Sequence, residues 1–345
     1  MATLTVRQLS IRDVPMLARR VRKRVEFLSP PGPEFGHGLT PRHALTSLAS
    51  NRFQPYRAFV AEIDGELCAY LLTRRGERAY RWMAVAVGAG SPRLPNTDDV
   101  CLELWSALHE HAIKRLGVLG ARRIVATTAP AGPSIESLQA TGYVPYTRLY
   151  ILRGRRSAIP RPRPSGVRPQ RDDDAWSIHQ LYHHVTPKPV QFAEAYTSDE
   201  WELGTWALRN RLRPRRSSRH AFVWETEHGV VGYCRLTLAR RTAHVQLLGN
   251  GGTEMDFVNL VDAALAEAGV DHRADVILAV PEYQIERLAP FEEAGYSVNE
   301  ERVALVRHTT VPAVVHPELA PLPVRGRVRK AQGVPSLIGR TCSRH

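Results

Sequence analysis

Two kinds of apolar spacing alternate along this chain. Arg57–Ile63 and Leu67–Arg74 are nearly continuous apolar runs flanking Asp64-Gly65, the strongest short hairpin signal in the sequence. Elsewhere the spacing is helical. Val100, Leu104, Leu108 and Ala112 share one face of a helix predicted from the caps at Asn96–Asp99 to Leu116. The same reading predicts strands at about Thr3–Leu9, Ala79–Val87 and Arg123–Thr128, and helices after Asp13 and near Pro41–Ser50. A short helix, Ser134–Thr141, is stopped by Gly142, and Tyr143–Leu152 is extended.

The pattern then starts again. VRQLSIRD at Val6–Asp13 returns as VRPQRDDD at Val167–Asp174, and AFVAE at Ala58–Glu62 as AFVWE at Ala221–Glu225. Each core segment is followed by a turn glycine, Gly65 or Gly229, and a second apolar run holding Tyr70 or Tyr233. Each copy ends on a Gly-Tyr pair, Gly142-Tyr143 and Gly295-Tyr296. A repeat distance of about 160 residues exceeds the roughly 20–50 of solenoid units and fits two copies of one globular plan. The second copy predicts helices at Ala175–Val185 and near Glu200–Leu212, a hairpin at Ala221–Glu227 and Val230–Leu238, and a strand at Ala243–Leu247. After these come a long helix at Thr253–Ala268, a buried strand at Ala274–Val280, a helix at Ile285–Ala294 and a closing strand at Val298–Val306.

Charge changes this picture little. The net charge of +13 is matched by two segments, Arg153–Arg171 with seven arginines and no acid, and the stretch after Glu318 with six basic residues and no acid. These read as a solvated Pro/Arg linker and a basic, largely disordered tail, able to touch nucleic acid only non-specifically. Cys68, Cys101, Cys234 and Cys342 have no short spacing, which argues against a disulfide framework or a Cys-type zinc site and favours a reducing, cytoplasmic setting. No apolar run approaches membrane-spanning length, and no metal is expected. His109-Glu110-His111 lacks the one-turn histidine separation of a zinc-protease helix.

Given twice and in this order, the Val-Arg strands, AFV-acid hairpins and Gly-Tyr ends resemble the GNAT N-acetyltransferase superfamily over Val6–Arg153 and Val167–His308. The resemblance implies a mixed α/β fold of two tandem GNAT-like domains, each a twisted mixed sheet flanked by helices. The expected boundaries are 1–153 and 166–310, with a linker at 154–165 and a tail at 311–345. It also implies an acyl-CoA donor, acetyl-CoA as co-substrate, in a V-shaped split between the fourth and fifth strands. A small-molecule or peptide amine would lie in the opposite groove.

A pyrophosphate needs outward main-chain N–H groups at a helix start, with glycines allowing close approach. The family's pattern, Gln or Arg, two residues, Gly, one residue, then Gly or Ala, is matched by Gln246-Leu247-Leu248-Gly249-Asn250-Gly251, which Gly252 and Thr253 extend. The first copy has Val85 in place of Gln, keeps Gly88 and Gly90, and adds Pro92, Pro95, Asp98 and Asp99, which remove donors and bring anions. Many family members carry a Tyr four residues before the closing Gly as general acid; Leu138 and Phe291 stand there, leaving Tyr283 as the candidate. The family's frequent fourth-strand Glu is also missing, so His244 and, on the neighbouring strand, Glu225 and Glu227 are candidate bases. Two functions follow: an N-acyltransferase working in the second copy, or a non-catalytic tandem module that binds a small molecule or a partner.

Overall fold

A computed structural model of the chain describes residues 3–13, 24–29, 56–76, 80–89, 97–159, 161–203, 218–239, 241–250 and 254–309. The helix at Pro41–Ser50, the bulk of those after Asp13 and near Glu200–Leu212, and the basic tail lie outside these residues. The first half supplies β1 (Leu4–Gln8), β2 (Arg24–Phe27), β3 (Tyr56–Ile63), β4 (Glu66–Arg75), β5 (Arg81–Ala89), α1 (Asp98–Val118), β6 (Arg123–Thr128), α2 (Pro133–Ala140) and β7 (Val144–Arg155). The second supplies β8 (Val167–Pro169), α3 (Ala175–Val185), α4 (Lys188–Glu194), β9 (Ser218–Thr226), β10 (Gly229–Ala239) and β11 (Thr242–Gly249). It continues with α5 (Glu254–Glu267), β12 (Asp275–Pro281), α6 (Leu288–Glu293) and β13 (Ser297–His308).

The strands form one mixed sheet in the order β1-β3-β4-β5-β6-β13-β7-β12-β11-β10-β9-β8, with β2 off this path on β5. Neither half closes on its own last strand. β7 crosses to pair antiparallel with β12, β13 pairs antiparallel with β6, and β7 and β13 pair with each other between them. The exchange covers both inner edges, which would otherwise present unpaired main-chain groups. One apolar cluster packs α1 with Phe59, Leu71 and Trp82, and a second packs α5 with Phe222, Val245 and Leu278. Among the described residues no helix is long and apolar enough to cross a membrane.

The repeated sequence landmarks make a repeated ion network. Arg7 grips Asp13 with two bonds of 2.7 Å and also bonds Glu62. Arg168 grips Asp174 at 2.7 and 2.8 Å and bonds Glu225 at 2.9 Å. Asp13 accepts the Ser10 N–H and Asp174 the Arg171 N–H, so each carboxylate also ties a tight turn. Burial works against both carboxylates, yet the facing arginines and N–H groups hold their pKa values below the ordinary range.

The Pro/Arg stretch, read as a solvated linker, is tied down instead. Arg156 donates to the Val270 carbonyl at 2.9 Å, the Ser157 N–H reaches Asp262, and Arg163 pairs with Glu267 at 2.9 Å. Prolines exclude a ladder or helix there but leave side chains free to moor an extended segment along α5.

Candidate active site

In the second half the parallel ladder between β11 and β12 runs only from Thr242–Asp275 to Val245–Leu278. Beyond it the strands part. The Asn250 N–H donates to the Val231 carbonyl at 2.7 Å, so the even-numbered groups of β11 face β10 and those of Leu247 and Gly249 face the gap. Arg287, from a 3-10 turn at Glu282–Arg287, spans that gap. It donates to the Gly249 carbonyl at 2.7 Å and to Gln284 Oε1 at 2.9 Å, with its guanidinium 4.2 Å from the Phe257 ring centre. A Cβ on Gly249 would lie 1.9 Å from the same ring. Gly249 is therefore required by the packing of α5, whatever the gap holds. The Asn250 amide, expected in an anion cradle, is already bonded within the sheet, while Gly251, Gly252 and Thr253 lie outside the described residues.

The corresponding gap in the first half is filled. β5 and β6 pair only over Arg81–Met83 with Arg123–Val125. Past that point β2 inserts, antiparallel to Ala86–Ala89. Leu28 completes the insertion: its N–H donates to the Val85 carbonyl at 2.8 Å, and its carbonyl accepts the Thr127 N–H at 2.9 Å. Leu28 is fully buried, and Arg302 of β13 clamps the segment by donating to the Ser29 and Phe27 carbonyls at 2.7 and 3.1 Å. β2 escaped the sequence reading. Its signal was the alternation of charged Arg24 and Glu26 with Val25 and Phe27, a two-residue period just past a helical pattern.

The second half cannot repeat this insertion. The segment eleven residues past Asp174 is Val185-Thr186-Pro187-Lys188-Pro189-Val190, where the first half has Arg24–Ser29 eleven past Asp13. Pro187 and Pro189 carry no N–H for a ladder, and proline is favoured at a helix start. The segment becomes α4, an element missing from the sequence reading. Ala195, with a left-handed φ of 46°, ends it. Ala193 packs on Val125 and Val306 of the first-half sheet, carrying Glu194 and Tyr196 to the junction of the halves.

The candidate residues separate on this frame. His244 and Gln246 line one shallow cavity of about 200 Å³ with Arg219, Arg235 and Thr237. That is the sheet face on which Leu248 and Tyr233 pack against α3. Glu225 is remote from both gaps, on β9 beside the edge strand β8, and bonded to Arg168; its twin Glu62 does the same. Glu227 stands exposed at the hairpin turn beside His228. Leu138 and Phe291 are fully buried. Tyr283 sits just past β12, within electrostatic range of Glu194 and Tyr196, with burial foremost in raising its phenol above the ordinary tyrosine pKa. Glu194 itself was not anticipated. It lies in no sequence motif, and only the docking of α4 places it beside Tyr182, whose hydroxyl donates to Glu194 Oε2 at 2.8 Å.

A scan of the sequence against known protein families finds no match, and neither does a comparison with curated proteins. Solved structures do match. One is a tandem GNAT protein from the clavulanic acid biosynthesis pathway, with a TM-score of 0.51 and 13% identity over 90% of this chain and 99% of that one. Another is a GCN5-related N-acetyltransferase from Sphaerobacter thermophilus, with a TM-score of 0.51 and 16% identity over 89% of this chain and 96% of that one. At these identities the likeness establishes the fold, a GNAT-like mixed sheet flanked by helices.

Proposed function

We propose that this chain is an acyl-CoA-dependent N-acyltransferase whose chemistry lies in the second half, with acetyl-CoA as the expected donor and a small-molecule or peptide amine as acceptor. The observation that carries this reading is the interrupted β11–β12 ladder. The main-chain groups of Leu247 and the Gly249 N–H face a gap that no described strand fills, and such groups call for a partner. An extended arm bearing amides suits that edge. The first-half gap does not fit a donor, because β2 and Leu28 already bond both of its edges.

A bound acyl-CoA supplies an activated thioester carbonyl. The chain's part is to align an amine with it and remove a proton, and alignment alone is worth orders of magnitude in rate. The amine nitrogen bonds the carbonyl carbon, the C–S bond breaks, and the sulfur leaves as thiolate. Tyr283, kept protonated by burial, has a proton to return to that thiolate. His244 or Glu194 takes the proton the ammonium gives up; Glu194 is the better placed, beside Tyr283 in the junction cluster. Arg287 fixes the end of β11 against the turn that carries Tyr283, so it positions both walls of the gap.

Titration calorimetry with acetyl-CoA tests this reading, with thiol release from an amine panel as the second measurement. One site per chain and thiol release lost in Tyr283→Phe are expected. Absence of heat at millimolar ligand would end the proposal. A second reading, a non-catalytic binding module, draws on Arg287 already bonding Gly249 and on the engaged Asn250 amide. It predicts binding with no thiol release from any amine.

A further inference from the structure

The cavity beside the second-half gap has a character of its own. Its volume is about 200 Å³, and its polar side chains are Arg219 of β9, Arg235 and Thr237 of β10, and His244 and Gln246 of β11. Each of these can donate a hydrogen bond, the two arginines carry a permanent positive charge, and among the described residues no acidic side chain lines the cavity. Two neutral oxygens aim Arg235, which donates to the Tyr233 hydroxyl at 2.8 Å and to the Glu200 carbonyl at 3.1 Å. Its guanidinium also stands 5.3 Å from the Trp201 ring centre, and Trp201 and Tyr233 are both buried. The arginine is therefore held against an aromatic wall that does not move with solvent.

The strand register orders these side chains by distance from the gap. Thr237 pairs with His244 on one side and with Arg219 on the other, and Arg235 pairs with Gln246. β11 borders the gap, and Gln246 is the first residue past the β11–β12 ladder. His244 and Gln246 thus stand beside the gap, Arg235 one strand farther out and Arg219 two. Neighbouring strands lie about 4.8 Å apart, so the strands that carry the two guanidinium groups run about 5 and 10 Å from β11.

We infer that this cavity takes the anionic end of the acceptor: the substrate is an amine that also carries a carboxylate or a phosphate, its nitrogen over β11 at the gap and its anion on Arg235 and Arg219. The inference rests on the acyl-transfer reading and deepens it by naming the acceptor class. A guanidinium fork matches the oxygens of either anion, and the Thr237 hydroxyl and Gln246 amide add uncharged donors. The strand spacing keeps the two ends apart, so the anion lies farther from the nitrogen than the carboxylate of an α-amino acid does. The same cations disfavour an ammonium beside them, which favours the neutral, nucleophilic amine.

The test uses the full chain and a ladder of probes: glycine, β-alanine, 4-aminobutyrate and 6-aminohexanoate, the n-alkylamines of equal chain length, and 2-aminoethyl and 3-aminopropyl phosphate. Binding is read by ligand-observed NMR and calorimetry without acyl-CoA, and thiol release with acetyl-CoA present. At least one of the longer anionic probes should bind about tenfold or more tighter than its parent amine and than glycine, as a hydrogen bond between charged groups allows. Arg219→Gln and Arg235→Gln should each remove most of that preference. The aminoalkyl phosphates against the amino acids of similar length decide which anion the cavity takes. No preference for any anionic probe over its parent amine, glycine bound as tightly as the longest probe, or a preference unchanged in both variants overturns the proposal. Should a variant fail to fold, the probe ladder in the unmodified chain decides the matter by itself. Anion-selective binding with no acetyl-CoA heat would leave the cavity standing and remove the transfer reading. Thiol release from plain amines with no anion preference would do the reverse.

Discussion

Two gaps in one sheet, built by the same topology, meet opposite fates. In the first half a strand enters and Leu28 bridges both walls; in the second a single side chain, Arg287, reaches across. A strand inserted with its own ladder is part of the fold, whereas Arg287 holds its place by hydrogen bonds to Gly249 and Gln284 and by its contact with the Phe257 ring. The difference traces to Pro187 and Pro189, which deny the second half the donors an insertion needs. What the second half builds from that segment, α4, carries Glu194 to the junction. A duplicated plan carries one gap filled by its own strand and one that no described strand fills.

The sharpest test of that contrast is the paired glycines. Gly88→Ala sets a Cβ 2.2 Å from the Tyr70 ring and Gly249→Ala one 1.9 Å from Phe257. Each should cost about 3 kcal/mol or more in urea unfolding, as overpacking does. Phe257→Ala should partly rescue Gly249→Ala, and no rescue would mean that the glycine serves the gap rather than α5. Next in size, Arg302→Leu should cost about 3 kcal/mol by stranding the buried carbonyls of Phe27 and Ser29. Leu28→Ala should cost a similar amount, about 3 kcal/mol, as for any fully buried leucine. Neither should alter acetyl-CoA binding. A second binding site appearing in Leu28→Ala would show that the insertion, rather than the strand edges, is what bars the first half.

The long helices allow a finer comparison. His109 and Leu265 are each the twelfth residue of their helix, and both are fully buried. Burial lowers the His109 pKa from 6.5 to about 3, and neither ring nitrogen has a hydrogen-bond partner. The fold therefore holds the neutral form, while the unfolded chain binds a proton below its ordinary pKa of 6.5. Stability is fully present above that value and falls as the pH drops below it, by about 2 kcal/mol near pH 5. His109→Leu, the second half's own choice, should remove this acid loss in thermal melts recorded across pH. A slope unchanged by the substitution would assign the loss elsewhere. The smallest effect is expected at Glu225→Ala: under about 1 kcal/mol, since its side chain is 47% exposed, with thiol release intact. Loss of turnover there would return Glu225 to the site.

Much of this was legible because it is local. Asp64-Gly65 marks a hairpin through its turn conformation, and the spacing of Leu104, Leu108 and Ala112 marks α1 through burial of one face. The duplicated Arg, Asp and Glu announced two copies of one plan before their ion networks were known. Other features were hidden for a physical reason. Periodicity reports which face of a strand is buried but not which strand lies beside it, so the exchange of β7 and β13 left no trace in the pattern. The spacing of Gln246–Thr253 fits an anion cradle, but spacing cannot show that the Asn250 amide already bonds Val231 or that Gly249 makes room for a ring.

The sequence by itself determined the elements, the repeat and the proline pair that forbids a second insertion, because dihedral preference, capping and side-chain period act over a few residues. The tertiary structure alone decided that β2 fills one gap, that Arg287 crosses the other, and that Arg81 and Glu194 come within electrostatic range of each other. Those relations join residues 38 or more positions apart, and only the shared sheet brings such distant positions within reach of a hydrogen bond or a charge.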